Sequence, residues 1–128
     1  MSPPRKTQEP TMRPVLAIAL LLALAAPARA AGPNGGVVVV ADGHPIELVA
    51  SETALTFFVT DDDGGPAATA GLTGKAFVQT GAGTETVPLA GAAPNRMVGA
   101  LKGPLPAGAK VVFSARMHGH SLQARFAR

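Results

Sequence analysis

The sequence has no cysteine, tryptophan or tyrosine, and phenylalanine accounts for all five of its Phe, Trp and Tyr residues. Without cysteine the chain can form no disulfide, and it cannot be anchored through a lipid-modified cysteine. Without a set of stacking aromatic side chains it has no platform for the bases of a single-stranded nucleic acid. A core built from Val, Leu, Ala and Phe must therefore provide the stability.

A basic surplus is also missing once the N-terminus is set aside. The net charge of the 128 residues is +3. Four basic residues and one acidic residue within the first 30 positions account for all of it, so residues 31–128 carry seven of each sign. This balance argues against nucleic acid as a partner, because such proteins present a clear excess of Lys and Arg.

The N-terminus has the order of a secretory signal peptide. Basic residues precede an apolar run at residues 15–26, and the small-residue motif Ala-Arg-Ala follows at residues 28–30. As a helix the run reaches roughly 18 Å, against about 30 Å of membrane hydrocarbon, so a permanent anchor is not expected. We expect residues 1–30 to be cleaved, which predicts a periplasmic or secreted protein. Translation from Met1 or from Met12 would give the same mature chain.

Glycine and proline interrupt residues 31–128 every few positions, and the runs between them are rich in Val, Thr, Phe and Leu. No amphipathic helix of useful length fits between these breaks. The pattern predicts one all-β domain, a small antiparallel β-sandwich of immunoglobulin-like type with seven to eight strands. The predicted strands cover residues 36–41, 44–50, 53–61, 75–80, 84–89, 96–102, 109–117 and 120–127.

Two hairpins can be predicted in register. A two-residue turn at His118-Gly119 would place Met117 opposite His120 and would put Phe113 and Phe126 on one apolar face. The other face then carries polar residues, as expected of an antiparallel sheet with one buried side. A turn at Asp42-Gly43 would pair the flanking residues in the same way and would place His44 beside the tip of the first hairpin.

Metal-binding side chains gather at one end of the domain if successive strands are antiparallel. The turns after the first, third, fifth and seventh strands then share one end, which we call the rim. It holds His44, Asp61–Asp63, Asn95, Met97, Met117, His118 and His120. Imidazole with thioether sulfur favours copper, Cu(I) in particular, whereas imidazole with a carboxylate suits zinc or Cu(II). The five histidines and methionines of the rim are the predicted metal ligands. A histidine at a hairpin tip is, however, also common as a plain polar residue, and methionine as core filler.

Other binding and catalytic patterns are incomplete. The aspartates at 61–63 suggest a calcium loop, but Leu72 stands where the bidentate glutamate belongs. No nucleophile elbow accompanies the histidines, so we expect no enzyme activity. The glycine-rich stretch 32–36 leads into no helix and is interpreted as a flexible approach to the first strand.

Residues 32–67 resemble a known family. The stretches GPNGGVVVVADGHPIELV and LTFFVTDDDGGPA are similar to short β-domains, often beginning Pro-His-Gly-Gly, found in or alongside periplasmic adaptor subunits of heavy-metal efflux pumps. The resemblance implies a periplasmic β-sandwich module near metal efflux. Asn34 stands where many members have histidine, which leaves His44 as the histidine of the shared stretch.

Together these observations predict an accessory protein of heavy-metal handling that binds copper at the rim and has an efflux-pump adaptor or another envelope protein as partner. The alternative is a structural or protein-interaction domain of the cell envelope without a metal site.

Overall fold

The computed structural model describes residues 31–127, so the predicted signal peptide lies outside the described residues. These residues form eight β-strands and no helix, and hence no helix that could cross a membrane. The all-β prediction is therefore confirmed. The strands are β1 (Val37–Ala41), β2 (His44–Ala50), β3 (Ala54–Val59), β4 (Thr73–Thr80), β5 (Gly83–Ala92), β6 (Arg96–Ala100), β7 (Lys110–Met117) and β8 (His120–Ala127).

All eight strands belong to one antiparallel sheet in the order β1-β2-β3-β6-β5-β4-β7-β8. The sheet curves into a near-barrel, and its two edge strands, β1 and β8, approach each other without forming a ladder. Opposite halves of the sheet meet in the core. The Phe57 ring of β3 packs on Phe113 of β7 and Phe126 of β8, with ring centroids 4.8 and 5.8 Å apart.

Both predicted hairpin registers are confirmed. Met117 pairs with His120 in the last hairpin, and Ala41 pairs with His44 in the first. The turn residues have positive φ angles: 51° and 80° at Asp42 and Gly43, 52° and 83° at His118 and Gly119. Two consecutive left-handed residues define a type I′ turn, whose twist matches that of the flanking strands. The two turn residues of each hairpin thus fix which residues of the flanking strands face each other.

The glycine-rich loop before β1 is an ordered part of the fold. Its backbone folds over the buried carboxylate of Glu47, which accepts hydrogen bonds from the backbone N–H of Gly36 at 2.7 Å and of Asn34 at 3.0 Å. The Asn34 side-chain amide donates a further bond at 3.0 Å. A side chain at Gly32 would overlap this carboxylate, so the Glu47 side chain would have to shift to admit it. The interpretation of the loop as flexible was therefore wrong, because a buried carboxylate must be paired with donors.

Candidate metal site at the rim

The three histidines lie together at the rim. Because every pair of neighbouring strands is antiparallel, the turns after β1, β3, β5 and β7 share one end of the near-barrel. The His44 ring is central: its centroid lies 6.1 Å from that of His118 and 6.2 Å from that of His120. Residues far apart in the sequence thus converge where the first and last hairpins meet.

His44 is held in a defined orientation. It begins β2 on the inner side of the sheet and is only 5% exposed. Its Nδ1 lies 3.0 Å from the backbone carbonyl oxygen of Thr60. Since a carbonyl oxygen only accepts, Nδ1 must carry the hydrogen, and Nε2 of the neutral ring keeps its lone pair. A histidine that donates one N–H to a carbonyl and offers its other nitrogen is the usual arrangement of a metal ligand.

Carboxylates accompany the other two rings. His118 Nε2 lies 3.3 Å from Asp61 Oδ1, and His120 Nδ1 lies 3.3 Å from Asp42 Oδ2. Asp61 Oδ1 is also 3.8 Å from His44 Nδ1. Because an ionised carboxylate only accepts, the neutral rings carry their hydrogen on the nitrogen that faces the carboxylate. This leaves the lone pair on Nδ1 of His118 and on Nε2 of His120.

Both rim methionines are buried members of the hydrophobic core. Met97 is 0% exposed and stands opposite Phe57 in the sheet. Its terminal methyl group approaches Gly74 of β4, where an added Cβ would lie 3.2 Å away. Met117 is 3% exposed and is the cross-strand neighbour of His120. Met117 is therefore placed beside an imidazole of the rim, whereas Met97 is placed among core residues.

The arrangement is not a closed coordination shell. Within residues 31–127, no group of three or more His, Asp or Glu side chains is placed so that it could hold a metal ion. Imidazole nitrogens bind such ions at about 2.0 Å, so rings that share an ion have centroids roughly 5–6 Å apart. The observed separations of 6.1 and 6.2 Å are close to that range. The His44 and His118 rings are stacked with 15° between their planes, so their side chains would have to rotate before both could bind one ion.

Sequence reasoning placed Asp61 at the rim but gave no role to Asp42, which it treated only as a turn residue. The structure places both carboxylates against imidazoles. The available signal was the predicted topology itself: Asp42 sits in the turn that leads into His44, at the same end as the tip of the last hairpin. Contact between the two hairpins follows only from closure of the sheet, which brings β1 towards β8.

No family model matches the chain, and no curated protein or solved structure is significantly similar to it.

Proposed function

We propose that the protein binds one transition-metal ion at the rim, copper first, and serves as a periplasmic accessory protein in heavy-metal handling. The observation that carries the proposal is the cluster of three imidazoles with His44 at its centre, each with one nitrogen facing an oxygen acceptor and the other left as a lone pair. Imidazole nitrogen binds copper and zinc well. The link to heavy-metal handling rests on the sequence resemblance of residues 32–67 to domains of metal-efflux adaptors, which no family model match supports.

His44 and His120 are the proposed principal ligands. They sit at equivalent positions of the first and last hairpins, directly after the two type I′ turns. His118 is the most exposed of the three rings and completes the set from the turn. A set of imidazoles suits Cu(II) or Zn(II), and participation of the Met117 thioether would shift the preference towards Cu(I). A Met117→Leu variant therefore tests whether the thioether takes part: it should weaken the response to Cu(I) and leave the response to Cu(II) unchanged.

The experiment is a melting-temperature titration of the mature protein with Cu(II), and with Cu(I) under reducing conditions. An ion that binds only the folded form at 100 times its Kd stabilises by about 2.7 kcal/mol. In a domain of this size each kcal/mol raises Tm by about 4–8 °C. We expect a rise of about 10–20 °C for wild type at that ratio. Because His44 is buried, His44→Gln and His120→Gln are each compared with their own metal-free Tm.

Arg116→Ala is the matched control. Arg116 lies at the same hairpin tip, is exposed, and donates a hydrogen bond to the Gly119 carbonyl at 3.3 Å without contributing a metal ligand. It should keep the full copper response, while His44→Gln and His120→Gln lose it. Equal responses in wild type and His44→Gln, or no response of wild type to either oxidation state, would contradict the proposal.

The interaction-domain alternative has one supporting observation. Val40 on edge strand β1 is 64% exposed, and it is the single large hydrophobic residue exposed to this degree in the described part of the chain. An exposed edge strand is a common site for strand addition by a partner. A photo-crosslinker at Val40 should then capture an envelope protein, whereas one at the exposed Thr84 of β5 should not. Equal capture at both positions would remove this alternative.

A further inference from the structure

The outer surface of β4, β7 and β8 carries charge of one sign. Six of the seven acidic residues beyond position 30 lie at 42–63, whereas all seven basic residues lie at 75–128. Strands β4, β7 and β8 are neighbours in the sheet and contain no acidic residue. Their exposed cations alternate with inward-facing residues and therefore share the outer surface. We call this set the basic face: Lys75, Lys110, Arg116 and Arg125.

The charges of the basic face are not compensated. None of its four cations forms a salt bridge with any described residue. Arg116 donates a hydrogen bond only to a neutral acceptor, the Gly119 carbonyl. By contrast, Lys102 after β6 lies 3.9 Å from the carboxylate of Glu85. A surface of like charge without counter-charges attracts an anionic partner.

The cations are spread round an apolar centre. Lys110 and Arg116 lie six residues apart on β7, which corresponds to roughly 20 Å along the strand. Between them Phe77 of β4 stands opposite Val112 of β7, and both side chains are half-buried. One small anion cannot contact cations so far apart, whereas a surface with many anionic groups can.

The position of the face within the sheet limits the kind of partner further. Strands β4 and β7 are paired on both sides, β4 with β5 and β7, and β7 with β4 and β8. Their backbone groups are thus used in the sheet, and a partner cannot add a strand there. Contact with this face is through side chains, cationic at the periphery and apolar in the middle.

We propose that the basic face docks the domain reversibly on a bilayer surface rich in anionic phospholipid. The four cations meet the headgroup phosphates, and Phe77 and Val112 face the interface between them. Lys and Arg are attracted to such a surface within about one Debye length of it, roughly 10 Å at moderate salt. The four cations include none of the proposed metal ligands, so failure of this proposal would leave the metal-binding proposal intact.

The test is co-sedimentation of the mature protein with vesicles, in the presence of EDTA so that metal ions play no part. Vesicles of phosphatidylglycerol and phosphatidylcholine in equal parts should bind the protein at low salt, and vesicles of phosphatidylcholine alone should not. Salt at about 1 M, where the screening length is about 3 Å, should release the bound protein.

Two double variants that remove the same net charge locate the contact. Lys75→Gln/Arg125→Gln should lower the partition coefficient about 25-fold, because each cation near an anionic surface contributes a factor of about five, or about 1 kcal/mol. Arg96→Gln/Lys102→Gln removes exposed cations on and after β6, which β5 separates from β4, and should bind nearly as wild type does. Both variants are first checked for a cooperative melt.

Four results would overturn the proposal. These are no binding of wild type to the anionic vesicles, equal binding to both kinds of vesicle, equal weakening in the two double variants, and binding that persists at high salt. Retention on immobilised polyglutamate without binding to the anionic vesicles would assign the basic face to an acidic protein instead.

Discussion

Truncation of Phe113 tests the way in which the sheet closes on itself. Phe113 is 0% exposed on β7, and its ring packs against Phe57 of β3 with centroids 4.8 Å apart. In the order of the sheet, three strands separate β3 from β7. The contact therefore crosses the core between the two halves of the sheet, and it exists only if the sheet curves round.

The expected cost follows from cavity formation. Phe→Ala substitutions in protein cores cost about 3–5 kcal/mol, while a domain of this length has a total stability of roughly 5–15 kcal/mol. At about 4–8 °C per kcal/mol, Phe113→Ala should lower Tm by about 12–40 °C. Arg116→Ala removes an exposed side chain on the same strand, and its Tm should stay within a few degrees of wild type.

Urea unfolding followed by circular dichroism gives both free energies, and a double-mutant cycle with Phe57→Ala isolates the ring pair. Aromatic pairs contribute about 0.5–1.5 kcal/mol beyond their area burial, so the two truncations should be coupled by at least that amount. Additive effects would show that the two rings do not meet, and equal Tm shifts for Phe113→Ala and Arg116→Ala would show that the buried face is wrongly assigned.

Three further outcomes are expected. Gly91→Ala should strongly lower the urea midpoint, because the new methyl group would overlap a loop carbonyl oxygen, whereas Gly81→Ala meets no heavy atom within 4 Å and should be nearly neutral. Glu47→Gln should speed hydrogen exchange at the Gly36 amide, because an amide presents fewer acceptor lone pairs to the loop; unchanged exchange would argue against the loop contact. Edman sequencing of the protein exported by a bacterial host should begin at Ala31, and an intact leader would refute export.

The features that could be predicted from the sequence are those fixed by neighbouring residues. Alternating apolar positions in the last two strands set which face is buried, and the Asp42-Gly43 turn sets the register of the first hairpin. These interactions are local and can therefore be read from the sequence. The register is also strongly specified, because a one-residue slip would turn the whole apolar face of a strand to solvent. The sequence also predicted correctly that the turns after β1, β3, β5 and β7 lie at one end of the domain. This prediction requires only that successive strands alternate in direction.

The remaining features depend on contacts between distant segments. Strand β3 pairs with β6, and the chain reaches β4 through residues 60–72, an order that strand patterns alone do not determine. The buried carboxylate of Glu47 was missed because its donors come from a glycine-rich loop more than ten residues away. In both cases the deciding interaction joins groups whose sequence spacing carries no periodic signal.

The rim histidines come together because the sheet curves round until its two edges approach each other. The first hairpin carries His44 and the last carries His120, and these hairpins occupy opposite edges of the sheet. Their rings are 6.2 Å apart only because β1 and β8 approach, although no hydrogen-bonded ladder joins these two strands. An ion shared by His44 and His120 would therefore join the two edges of the sheet at the rim, where no backbone hydrogen bonds do so. Metal binding should then slow hydrogen exchange along β1 and β8 more than along β4 and β5, an effect that a site confined to one hairpin would not produce.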